Sequence, residues 1–92
     1  MLTYKITDFS RPSQTVKSSC RARFSVNLYV DEHPLVEIQN CVLLYNQKLQ
    51  AYYVGYPGYK RGNRYDKIAS VLSPELNAEI TAAAVHILGQ NQ

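Results

Sequence analysis

Between Arg21 and Val30 the side chains alternate without a break: Ala22, Phe24, Val26, Leu28 and Val30 on one side, Arg21, Arg23, Ser25, Asn27 and Tyr29 on the other. A period of two belongs to an extended chain, in which successive side chains point to opposite faces. Such a strand buries one face, so a second layer must cover the apolar side while the other meets water or a ligand. A shorter alternation sets Leu2, Tyr4 and Ile6 against Thr3, Lys5 and Thr7, and Arg11-Pro12-Ser13 breaks it. Asp31-Glu32-His33-Pro34 reads as a turn, which makes the next strand, Leu35 to Tyr45, antiparallel to the one before. Along it Val36, Ile38, Val42 and Leu44 stand in register around the polar Asn40, where a bulge is expected. Asn46-Gln47-Lys48 links tightly to a fourth strand, Leu49 to Tyr56. The Pro, Gly and Asn of Pro57 to Asn63 mark a loop, and Arg64 to Ala69 supplies one more short strand.

The period then changes. Ser73 is a natural N-cap, Pro74 suits the first helical position, where its missing N–H goes unneeded, and Glu75 complements the positive end of the helix dipole. Leu76, Ile80, Ala83, Ala84 and Ile87 recur at helical spacing, which predicts one apolar stripe suited to lying across a sheet. Gly89 is placed to end the helix as a C′ residue, with Gln90-Asn91-Gln92 as a frayed tail. The fold class expected is α+β: four or five antiparallel strands followed by one C-terminal helix. A chain of 92 residues holds one domain, 1–92, and 46% hydrophobic against 18% charged residues is a globular composition.

The formal net charge is +3, and its location says more than its size. Lys60, Arg61, Arg64 and Lys67 against Asp66 give the stretch from Lys60 to Lys67 a charge of +3, so the other 84 residues sum to zero. Within those, Arg11, Lys17, Arg21 and Arg23 face no acid between Phe9 and Val30. A short basic run has a plain reading, a solvated loop, beside the functional one. Arg21 and Arg23, two apart on one strand face, either extend a basic surface or pair with Glu37 across the hairpin.

Catalysis finds no support in the residues. No nucleophile elbow, phosphate-cradling loop or metalloprotease motif occurs, no carboxylate pair shares a strand face, and Glu75 and Glu79 sit where the helix dipole favours acids. Cys20 and Cys41, twenty-one residues apart without a C-x-x-C, read as free, partly buried thiols, with a disulfide as the alternative. Neither a metal ligand set nor a cofactor motif is present, and no small-molecule substrate is evident. The N-terminus lacks an apolar leader and no apolar run has membrane-spanning length, which points to a cytoplasmic protein without membrane attachment.

The informative constellation interleaves aromatic and basic residues. Five of the eight tyrosines (Tyr52, Tyr53, Tyr56, Tyr59 and Tyr65) share a window with Lys60, Arg61 and Arg64. A single-stranded nucleic-acid platform needs this combination: cations for phosphates and flat rings on which unstacked bases lie. Tyrosines also favour strands and straddle core and surface. Because Tyr52 and Tyr53 alternate, at least one of them belongs to the core, and by position Tyr56 and Tyr59 are the rings expected to be exposed.

The run Tyr53-Val54-Gly55-Tyr56-Pro57-Gly58, then Lys60-Arg61, Tyr65-Asp66-Lys67-Ile68-Ala69, Leu72-Ser73-Pro74-Glu75 and Ile80 to Val85 resembles the SpoVG (stage V sporulation protein G, septation regulator) family. Arg21-Ala22-Arg23-Phe24-Ser25-Val26 and Leu35-Val36-Glu37-Ile38 resemble its first hairpin, so the likeness spans about Tyr4 to Leu88. Where that family commonly has Met before the proline, this chain has Tyr56. The resemblance implies a homodimeric bacterial DNA- or RNA-binding protein that modulates gene expression, with Lys60 and Arg61 on phosphate, joined by Arg64. A weaker likeness to PC4-like coactivators, which bind single strands as dimers, implies the same chemistry. The alternative class is an interaction or accessory module that uses exposed tyrosines as anchors without binding nucleic acid.

Overall fold

The computed structural model of the chain describes residues 1–12 and 20–90, with Tyr65 and Lys67 described by backbone alone. In chain order the elements are β1 (Leu2–Ser10), β2 (Cys20–Val30), β3 (His33–Asn46), β4 (Ala51–Gly55), β5 (Gly58–Arg61), β6 (Arg64–Lys67) and α1 (Pro74–Gln90). The α+β class is as expected: β1-β2-β3-β4 form an antiparallel sheet, β5 and β6 form a separate antiparallel ribbon, and α1 packs on β4, β1 and β3. Lys17 and the tail residues Asn91 and Gln92 lie outside the described residues.

The core lies between the sheet and α1. Ala22, Phe24 and Val26 of β2, Cys41 and Leu43 of β3, Val54 of β4 and Ile80, Ala84 and Leu88 of α1 are all buried. The helical stripe therefore runs along the i, i+4, i+8 row through Leu88, turned slightly from the expected one, with Ala83 and Ile87 only half-buried. Full burial of a residue such as Ile80 is worth about 1.5–3 kcal/mol, so this row dominates the docking of the helix. At its start the Leu76 amide donates to Ser73 Oγ at 3.2 Å, the expected N-cap. At its end Gly89 is inside the helix and not a C′ stop, since α1 continues to Gln90. The last turn carries no basic residue of its own, and the Arg11 guanidinium supplies the complementary charge by donating to the Leu88 carbonyl oxygen.

Two turns differ from the sequence expectation, the first shorter and the second longer. Only Asp31 and Glu32 link β2 to β3, both left-handed (φ 48° and 70°), so that Val30 pairs with His33 and Pro34 already belongs to β3. Two successive positive φ values make the primed turn whose twist matches that of the flanking strands. Between β3 and β4 the Leu49 amide donates to Asn46 Oδ1 at 3.1 Å, and this turn removes Leu49 from the expected fourth strand.

Bulges decide which side chains reach the core. Between the pairs Phe24–Cys41 and Val26–Ile38, β2 advances two residues and β3 three, and Asn40 sits there with φ 61°. The bulge expected at Asn40 is present, but its effect reverses the expected faces beyond it. Cys41 and Leu43 point into the core, whereas Val42 and Leu44 turn to the face away from α1, because one extra residue in a strand exchanges its two sides. Beyond the cover of α1, Val36 is exposed, as are the paired Val30 and Leu2 at the same end of the sheet. On the other side of β2, β1 advances three residues between Thr7–Ser25 and Ser10–Arg23 while β2 advances two, with Asp8 left-handed at φ 53°.

Candidate nucleic-acid interface

The stretch expected as a loop from Pro57 to Asn63 is half of a hairpin. Gly58–Arg61 pairs with Arg64–Lys67 residue for residue, and Gly62 (φ 60°) with Asn63 makes the connection. A glycine at the first central position of a two-residue turn takes up a left-handed backbone without steric cost. The Ile68 amide closes the base of the ribbon by donating to the Pro57 carbonyl at 2.8 Å. The ribbon pairs with itself, and its described residues make no extensive contact with the sheet or the helix.

This hairpin holds the whole charge surplus of the chain. Arg61 and Arg64 face each other across the turn, Lys60 is in register with Tyr65, Tyr59 with Asp66, and Gly58 with Lys67. Two facing arginines repel, and Asp66 offsets this by lying 3.4 Å from Arg61 and 3.8 Å from Arg64. Exposed ion pairs of this kind contribute little to stability, but they hold two guanidinium groups beside each other at the tip. Lys60 is exposed and engages no ion pair among the described residues. Tyr59, on the arginine side of the ribbon by register, is half exposed.

Tyr56 corrects the expectation that it is exposed. It is 6% exposed, its hydroxyl donates to Asn77 Oδ1 at 2.6 Å, and burial, with the nearby Cys41 as a second cause, pushes its pKa up to about 12. The signal was in the pattern: Tyr56 shares parity with Val54 and continues the core face of β4. The exposed ring of that strand is Tyr53, on the opposite side, which sequence reasoning did not single out for binding. Tyr52 turns inward and meets Tyr45 edge-on, with ring centroids 4.9 Å apart.

Arg21 and Arg23 do not share a face. Between the pairs Cys20–Leu44 and Ala22–Leu43, β2 carries one extra residue, and this bulge sets the Arg21 guanidinium 5.6 Å from the centre of the Tyr45 ring. Arg23 stays exposed on the outer face, in register with Val42 and Ser10. The expected alternative, pairing with Glu37, does not form: Glu37 is in register with Asn27 and accepts a hydrogen bond from Gln39 Nε2 at 2.7 Å.

Two open grooves flank Gln39 and Asn40, one beside Arg23 and one at the base of the ribbon. One, of about 320 Å³, lies over Ser25 between Asp8 and Ser10 of β1 and Gln39 and Asn40 of β3, with Arg23 two residues along β2 at one end. The second, of about 390 Å³, runs between Glu37–Asn40 of β3 and Pro57, Ile68 and Ala69 at the ribbon base. Gln39 and Asn40 border both.

Cys20 and Cys41 are not disulfide-bonded to each other, and burial pushes the Cys41 thiol up to about 11. Among the described residues no helix is long and apolar enough to cross a membrane. No protein-family model matches the chain, and neither a curated protein nor a solved structure shows significant similarity to it.

Proposed function

We propose that this chain is a nucleic-acid-binding protein of the kind its resemblance to the SpoVG family implies, a homodimeric regulator of gene expression. It holds the phosphate backbone through the β5–β6 ribbon. The observation that carries this reading is the placement of the full +3 surplus on a hairpin that pairs with itself, with Tyr59 exposed beside it. A strand held there can continue along the groove at the ribbon base towards Arg23. Lys60, Arg61 and Arg64 supply the phosphate contacts, Lys67 adds charge at the base, and Tyr59 offers a stacking face. Tyr56 takes no part because it is buried, and Arg21 is occupied over Tyr45. Dimerisation doubles the ribbons that one strand can meet, which raises avidity without new contacts.

The test is a salt series on fluorescent single-stranded oligonucleotides, with oligomeric state read by light scattering in the same buffer. Losing two phosphate contacts in Lys60→Ala with Arg61→Ala should flatten the log–log salt slope by about 1.4, at about 0.7 per contact on single strands. Affinity should fall for all sequences alike. Asp66→Asn, which releases the two arginines from their carboxylate, should raise affinity. An unchanged slope in the double variant overturns the reading. Binding that persists at high salt and falls on Tyr59→Ala favours an interaction module instead.

A further inference from the structure

An irregular part of the sheet also forms a polar concavity. On either side of β2, at the level of Phe24 and Ser25, the neighbouring strand carries one extra residue, and each bulge holds a left-handed residue that is not glycine: Asp8 on β1 and Asn40 on β3. Bulges recur next to binding sites because they re-aim side chains, and a backbone held in a sparsely populated conformation persists where its surroundings require it. Here the two bulges spread the strands around Ser25, whose small side chain is 5% exposed and forms the floor of the groove of about 320 Å³. That volume lies at the lower end of ligand-site sizes, roughly 300–1,000 Å³.

The walls carry a specific donor and acceptor set. Asp8 is a carboxylate acceptor on one side, Gln39 and Asn40 present amides on the other, and Arg23 closes one end with a guanidinium that engages no ion pair among the described residues. One cation and one anion facing a single space do not suit a simple anion, because the carboxylate would repel it. They suit a planar group with a donor edge and an acceptor edge. Guanine has both: N1–H and N2–H lie side by side for a carboxylate, and O6 and N7 accept from a guanidinium.

We propose that the double-bulge groove takes one unstacked guanine base of a bound single strand, with Asp8 on its Watson–Crick donors, Arg23 on O6 and N7, and Asn40 and Gln39 along the opposite wall. This rests on the nucleic-acid reading above and adds base preference to it. The phosphates on the ribbon position the strand, and the groove reads one base, the division of labour that phosphate and base contacts show in general. Gln39 and Asn40 line both grooves, so a strand leaving the ribbon base meets this one next.

The test uses the free mononucleotides GMP, AMP, CMP and UMP in amide-resolved NMR titrations of the full chain. GMP should shift the amides of Ser25, Gln39 and Asn40 and bind roughly tenfold more tightly than the other three, the scale of one good bidentate base contact. Asp8→Gly and Asn40→Gly keep, and relax, the left-handed backbone, so they should melt no lower than the parent while losing the preference for GMP. Asp8→Asn, which keeps the shape and replaces one acceptor oxygen by a donor, should lose it as well, as should Arg23→Ala. The Lys60→Ala, Arg61→Ala protein should retain the GMP shifts, which separates failure of the groove from failure of the ribbon. Equal response to all four nucleotides, shifts confined to residues 58–67, or a GMP preference unaffected by Asp8→Asn overturns the proposal.

Discussion

Replacing Tyr56 by Phe tests a buried contact that ties α1 to the core, because the ring packs in the core and its hydroxyl tethers α1 through Asn77. At neutral pH the variant keeps the ring and loses one neutral hydrogen bond to a half-buried acceptor, which should lower stability by about 1–2 kcal/mol. The alkaline range makes the test sharper. The Tyr56 hydroxyl has its pKa pushed from 10.0 to about 12, by burial first and by Cys41 second. A folded-state pKa above the unfolded one means that the native state holds its proton after the unfolded state has lost it. The contribution is therefore intact below pH 10 and is lost as pH rises from 10 towards 12. At about 1.4 kcal/mol per pH unit, up to about 3 kcal/mol disappears across that window. Tyr56→Phe carries no such group, so its initial deficit should shrink above pH 10 and reach zero near pH 11, where the two stability curves cross. Cys41, whose thiol is raised from 9.0 to about 11, loses its own contribution from pH 9 upward in both proteins and cancels to first order in the difference. Urea unfolding at half-unit steps from pH 8 to 11.5 reads that difference directly. A constant difference over the whole range would refute the reasoning, because it would mean that the hydroxyl titrates alike in the folded and unfolded chain.

Two further substitutions probe the frame that positions the groove and the ribbon. Ser73→Ala removes the oxygen that accepts from the Leu76 amide and should cost about 0.5–2 kcal/mol, read as a lowered thermal midpoint with no change in strand content. Gly55→Ala places a methyl 3.0 Å from Val42 Cγ2 and 3.1 Å from Leu44 Cδ1, so these outer-face side chains must give way. A loss of about 1–3 kcal/mol is expected in chemical denaturation, and a neutral result would show that they yield freely.

Much of the architecture is legible in short stretches of sequence. The alternation from Ala22 to Val26 names the core residues of β2, and Ser73-Pro74-Glu75 marks the start of α1 to the residue. Both signals are local, since a strand face follows from a period of two and a cap from a side chain three residues before the amide it accepts from. Asn40 was readable as an irregularity because a polar residue interrupts an apolar register. What the bulge does to Val42 and Leu44 was not, because its size is set by pairing with β2. The same holds for Arg21 and Arg23: two apart in an even strand they share a face, and one extra residue separates them. For Tyr56, punctuation misled, since the Pro57 that follows suggested a loop while the parity of Val54 carried the ring into the core.

By itself the sequence determined the strands of the four-stranded sheet, the C-terminal helix, the antiparallel α+β class and the gathering of the net charge between Lys60 and Lys67. Each of these depends on residues within a few positions of one another. Only the tertiary structure decided that the charge rides on a self-paired ribbon tempered by Asp66, that Tyr53 rather than Tyr56 meets solvent, and that Asp8, Arg23 and Asn40 surround one groove. The physical reason is register: which side chains share a face across strands far apart in sequence depends on where each strand gains a residue over its neighbour, and that is settled only when the strands pair.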